Sequence, residues 1–100
     1  MDIKTGKRGK NIAIRADFDA LPIQEETGLD FSSKNNGVMH ACAHDGHTAY
    51  LMVLAKIFHK YKKNLRGKIR IIHQPAEESP PGGAIGMIKE GVLESIDHAI

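Results

Sequence analysis

The segment Met39-His40-Ala41-Cys42-Ala43-His44-Asp45-Gly46-His47-Thr48 gathers three imidazoles, the only thiol of the chain and a carboxylate within ten residues. Imidazole and thiolate are the side chains that suit zinc and its first-row neighbours. Cys42 and His44, two apart, can reach one ion only from irregular or extended backbone. His40 and His44, four apart, would instead share one face of a helix. The spacing therefore points to a cation without choosing its donors. The same residues also fit a plainer pattern, a small buried thiol beside loop imidazoles bonded to backbone.

Carboxylates supply the second strand of chemistry. Asp17 and Asp19 close one apolar run, and Glu77 and Glu78 follow another. If one of two neighbouring glutamates binds an ion, the other is held close by and stays free. It can then take a proton from an activated water and pass it to a leaving amine. Taken alone, the aspartates would serve equally well as turn or helix-cap residues, and the glutamates as solvated loop acids.

These groups need elements to hold them. Asn11 to Asp19 sets Ile12, Ile14 and Ala16 on one face with the period of a strand. Residues 20–38 carry Pro22, Gly28 and the turn signal Asn35-Asn36-Gly37, which predicts a long loop with a short helical turn around Glu25. A loop of that length is a candidate wall of a pocket, with Glu25 and Glu26 facing solvent. Leu51, Leu54, Ala55, Phe58 and Tyr61 recur at helical spacing, so an amphipathic helix is expected from about Gly46 to Lys63. Lys68–Gln74 reads as a second strand and Ala84–Glu90 as a second helix. A third strand starts near Ile96, and Met1–Lys10 reads as a turn or ragged lead-in. The expected class is α/β, a partial three-layer domain with a mainly parallel sheet ordered strand, helix, strand, helix, strand. In such a sheet the carboxyl ends of the strands share one edge, where ligands bind. Asp17 and Asp19, the glutamate pair, and the Cys42–His44 segment leading into the helix all fall on that edge.

Composition narrows the classes. A chain of 100 residues buries about 60–65% of its unfolded surface, so a thin core is expected. A net charge of +2 is too mild to argue for nucleic acid, and the lysines and arginines read as solvated faces. One cysteine excludes an internal disulfide. The polar amino terminus is no secretory signal, and no run approaches the ~20 apolar residues of a membrane span. A cytoplasmic location is expected.

Three ordered motifs, Arg15-Ala16-Asp17-Phe18-Asp19-Ala20-Leu21-Pro22, Met39 to Ala49, and Gln74-Pro75-Ala76-Glu77-Glu78, resemble the amidohydrolase branch of the metal-dependent aminoacylase and carboxypeptidase superfamily. That branch includes hippurate hydrolases, N-acyl amino acid amidohydrolases, N-acetyldiaminopimelate deacetylases and auxin-conjugate hydrolases. The resemblance implies hydrolysis of the amide of a small N-acylated amino acid at a centre of two divalent ions, zinc, manganese, cobalt or nickel. It implies that Cys42 is the thiolate bridging the ions, that His44 and Glu78 are ligands, and that Glu77 is the general base and acid. Asp19 would orient the site. Asp17 stands where more distant relatives place a ligand histidine, and His40, Asp45 and His47 take supporting roles. A homo-oligomer is expected at full length, and charge and hydropathy lead to the expectation of neither nucleic acid nor membrane as partner.

The chain departs from the family pattern in two ways. Ala43 replaces the glycine usual between the cysteine and the histidine. Family members run to several hundred residues, with further ligand histidines and a lid or dimerisation domain that these residues do not include. Residues 1–100 are therefore expected to be a fragment of the metal-binding catalytic domain, with three of the five expected donors, partial metal occupancy at most and no activity alone. Unpaired sheet edges make self-association or poor order expected as well. Two other readings stand beside this one: a non-catalytic metal-binding or interaction module, and a thiol hydrolase built on Cys42 with a histidine.

Overall fold

A computed structural model describes all residues from Met1 to Ile100. The elements in order are β1 (Asp2–Lys4), β2 (Asn11–Asp17), α1 (His44–Tyr61), a 3₁₀ turn (Lys62–Asn64), β3 (Lys68–Gln74), α2 (Gly83–Lys89) and β4 (His98–Ala99). The sheet runs β1-β3-β2-β4. β2 pairs parallel with both β3 and β4, and β1 lies antiparallel along β3. The α/β class expected from the sequence is the one formed.

Side-chain alternation places the helices. Ile14 and Ala16 of β2 and Ile69 and Ile71 of β3 pack with Leu51 and Ala55 of α1. Arg15, Ile72 and Gln74, of opposite parity, face Ala84, Met87 and Ile88 of α2, so the helices lie on opposite faces of the sheet. β2 is thus covered on both sides: Ala13 is fully buried although it points away from Ile12 and Ile14. The core is thin, with 11 of 100 residues buried. The radius of gyration of 16.1 Å exceeds the ~13 Å of a compact domain of this size. Tyr50, Met52, Val53 and Ile57 of α1 remain exposed. No helix is long and apolar enough to cross a membrane.

Four expectations are corrected. The lead-in at Met1–Lys10 contains strand β1, whose Ile3 is buried in the core; three residues are too few for a period of two to be visible. Helix α1 starts at His44 rather than Gly46, and Gly46 sits in open space within the first turn. Around Glu25 no helical turn forms. Instead the 18–43 loop is cinched by a bridge between Leu21 and Met39. Nor is Glu25 simply solvated, because its carboxylate accepts hydrogen bonds from the Thr27 hydroxyl at 2.5 Å and the Ser33 N–H at 2.6 Å.

β1 is fastened by charge as well as by its ladder. Arg70 donates to both carboxylate oxygens of Asp2, Nε to Oδ1 at 2.7 Å and Nη2 to Oδ2 at 2.8 Å. That guanidinium, working against burial, lowers the Asp2 pKa from 3.8 to about 2. A depressed carboxylate contributes stability that is fully present above its unfolded value and is lost as the pH falls through the folded value. Solvent screening leaves about 1 kcal/mol. Asp2→Asn is therefore expected to lower the urea midpoint at pH 7 and to lower it much less near pH 2, where the native carboxylate is half protonated. An equal loss at both pH values would count against the ion pair.

Candidate metal centre

Both donor-bearing segments leave their neighbours through a left-handed alanine. Ala43, the residue before α1, has φ 62° and ψ 22°, and Ala76, just before the glutamates, has φ 52°. The first turn swings His44 inward, where it is 3% exposed. The second is braced by Gly83, whose N–H bonds the Ala76 carbonyl at 3.1 Å. A Cβ on Gly83 would lie 2.1 Å from the Pro75 carbonyl oxygen, so only glycine fits there. A left-handed alanine costs about 1–2 kcal/mol, of which glycine's greater chain entropy takes back about 0.5–1 kcal/mol. Ala43→Gly is expected to raise stability by roughly 0.5–1 kcal/mol, read as a higher urea midpoint at unchanged slope. A lower midpoint would contradict the turn.

His44 is held at one nitrogen and open at the other. Its Nδ1 lies 3.0 Å from the Asp19 backbone oxygen and 3.2 Å from Asp19 Oδ1. Donation there leaves Nε2 as the lone-pair nitrogen. Nε2 faces Asp17 Oδ1 at 3.7 Å, Glu78 Oε1 at 3.9 Å and Glu77 Oε2 at 4.0 Å. These separations are too long for hydrogen bonds. Tetrahedral bonds of 2.0–2.3 Å set donors sharing an ion about 3.3–3.8 Å apart; the Asp17 separation falls within that range and the two glutamate separations lie 0.1–0.2 Å beyond it. The ligand atoms of Cys42, His44 and Glu78 all lie within 4.8 Å of one another. Thiolate, imidazole and carboxylate together form a donor set suited to zinc and its neighbours, so the residues fit a divalent cation.

Asp19 joins the two donor segments. While Oδ1 meets His44, Oδ2 accepts the Glu78 backbone N–H at 3.0 Å. That N–H holds the Asp19 carboxyl below its ordinary pKa against burial, with further help from the Glu77 N–H. Burial also works to raise Asp17, but the His47 hydrogen bond and the Arg15 charge outweigh it and leave Asp17 lowered. His44 is raised: burial opposes its charge, and Asp17 and Asp19 prevail. The Cys42 thiol is pushed up chiefly by the neighbouring Glu78 carboxylate, then by burial. So much negative charge beside a thiol is what a cation would reverse.

The remaining sequence candidates lie outside the Cys42, His44 and Glu78 group. His40 and Asp45 line, with Leu29, Phe31, Val38 and Met39, a cavity of about 320 Å³ under the 18–43 loop. Its position agrees with the expected pocket wall. Asp45 also accepts the Gly46 N–H at 2.9 Å. His47 donates from Nδ1 to Asp17 Oδ1 at 2.7 Å, and Thr48 Oγ1 donates to the Asp17 carbonyl at 3.0 Å. Sequence reading gave no role to Arg15, Thr48 and Gln74, which fix Asp17 and the strand ends, although all three lie within the motifs that carry the resemblance.

The sequence model of peptidase family M20/M25/M40 matches residues 13–100. An N-acyl-L-amino acid amidohydrolase of Geobacillus stearothermophilus is 56% identical over 92% of this chain and 25% of its own length. A hippurate hydrolase of Campylobacter jejuni is 47% identical over 95% of this chain and 24% of its own length. A Bacillus subtilis structure described as a dinuclear metal-binding peptidase of the M20 family superposes with a TM-score of 0.93 at 47% identity. It covers 98% of this chain and 27% of the solved one. The chain thus spans about a quarter of the length of the curated relatives it matches.

Proposed function

This chain belongs to peptidase family M20/M25/M40, and from that premise we propose that it forms part of a metal-binding catalytic domain that hydrolyses the amide of small N-acylated amino acids. The observation that carries the reading is the single lone pair of His44 Nε2 facing Glu77 and Glu78 at 4.0 and 3.9 Å, with Cys42 beside them. Cys42, His44 and Glu78 would hold the cation. Two divalent ions, of zinc, manganese, cobalt or nickel, are proposed for the whole protein. Bound there, such ions supply Lewis-acid polarisation of the amide carbonyl and acidification of water.

The other roles belong to the protein. Asp19 fixes the tautomer of His44 and the position of the Glu78 backbone at once. Glu77, whose side chain has no hydrogen bond of its own, would accept a proton from the attacking water at Oε2. Returned to the amine nitrogen as the C–N bond breaks, that proton leaves a carboxylate and a free amino acid. The half-apolar cavity under the 18–43 loop has a volume suited to one substituent of a small substrate. A donor set that needs a reduced thiol suits the cytoplasm, and a homo-oligomer is proposed at full length.

With only these donors, the 100-residue chain is expected to bind an ion weakly and to be inactive alone. The test follows release of free amino acid from hippurate and N-acetyl amino acids with added Zn²⁺, Mn²⁺ or Co²⁺. The expected result is release by a polypeptide of the relatives' length that carries this segment, and none by the chain itself. Turnover by the chain alone would refute its inactivity. A metal-loaded longer polypeptide that leaves every such amide intact would refute the hydrolase reading.

A further inference from the structure

We propose that Arg15 is a positioning residue for the metal centre, acting through the ends of β2 and β3. Its Nη1 lies 2.9 Å from Asp17 Oδ2, and its Nε donates to Gln74 Oε1 at 3.0 Å. Asp17 and Gln74 are the last residues of the two strands and are register partners. Both are buried, at 5% and 8% exposure. Two residues beyond the first comes Asp19, and three beyond the second comes Glu77. A planar guanidinium fork holding both strand ends therefore fixes the separation of two segments whose carboxylates must meet at His44.

Arg15 also settles a competition. Asp17, His44 and His47 form a second group of three donors within 4.8 Å of one another, sharing His44 with the first. In that group Asp17 is already engaged at both oxygens, Oδ2 by Arg15 and Oδ1 by the Nδ1–H of His47 at 2.7 Å. A fixed cation beside it disfavours a second one. The ion is thereby directed to Cys42, His44 and Glu78. Asp17 is left to anchor His47, whose ring stacks on His44 with centroids 5.7 Å apart. The inference rests on the donor assignment given under the proposed function.

Co²⁺ titration of the full chain, followed by thiolate-to-cobalt absorption, tests both. Arg15→Ala is expected to weaken Co²⁺ binding by about tenfold or more, the usual effect of losing a group that orients ligands. Asp17→Asn should do the same, and because Arg15 acts largely through Asp17, the double variant should lose less than the sum. Arg15→Lys, which keeps the charge but cannot grip both acceptors, should recover part of the loss. Unchanged Co²⁺ affinity in Arg15→Ala, or strictly additive losses in the double variant, would overturn the proposal. Should Arg15→Ala fail to fold, full affinity in Arg15→Lys would overturn the fork. Absence of a thiolate band from the unsubstituted chain is a different failure, which removes the donor assignment and this inference with it.

Discussion

Cys42→Ala is expected to reduce divalent metal affinity by roughly 100-fold while leaving the metal-free fold intact. Structural zinc sites gain about 10–16 kcal/mol from four donors, so one thiolate accounts for about 3 kcal/mol. Cys42 is exposed, and its removal opens no cavity in the core, so the urea midpoint without metal should shift by no more than about 0.5 kcal/mol. His44→Ala is a poorer probe. It would strip buried Asp17 and half-buried Asp19 of a shared partner and unsettle the fold together with the site. The measurement is a Zn²⁺ competition titration, with iodoacetamide labelling of Cys42 beside it. Bound metal should protect the thiol from alkylation. Unchanged affinity in Cys42→Ala would move the ion to Asp17, His44 and His47. Alkylation at the same rate with and without metal would favour a free catalytic thiol instead.

The legible parts of the chain were those with a local signature. β3 matches its expected span because a β-branched run, Ile69, Ile71 and Ile72, ends at Pro75. α1 was visible from Leu51, Ala55 and Phe58, and the gathering of acids at one rim followed from parallel topology alone. What escaped lacked such a signature. α1 begins at His44 without a side-chain cap, so no serine, threonine or asparagine announced it and Gly46 drew the boundary two residues late. The left-handed turn at Ala76 was hidden because glycine, the usual marker of positive φ, is absent there, and at Ala43 the one hint was the glycine that the family pattern carries in its place. The bond between His47 and the Asp17 that Arg15 holds joins residues 30 apart, and only the folded sheet edge brings them together.

The two readings of the centre, catalytic and structural, part company at Glu77. A structural site closes around its ion with protein donors and has no use for an unliganded carboxylate. Here both glutamates are drawn to Asp19 through their backbone N–H groups, and the Glu77 side chain, its Oε2 4.0 Å from His44 Nε2, has no hydrogen bond of its own. Its side chain is 41% exposed, open to substrate and water. Glu77→Gln keeps that shape and removes the capacity to take a proton. In a polypeptide of the relatives' length carrying this segment, the substitution is expected to lower kcat for N-acyl amino acid hydrolysis by about 10²–10⁴-fold, the usual contribution of a positioned base. KM and metal content should change little, because Cys42, His44 and Glu78 are untouched. Loss of metal in step with activity would make Glu77 a ligand instead of a base. Retained kcat would remove its catalytic role and leave a metal-binding module in place of a hydrolase.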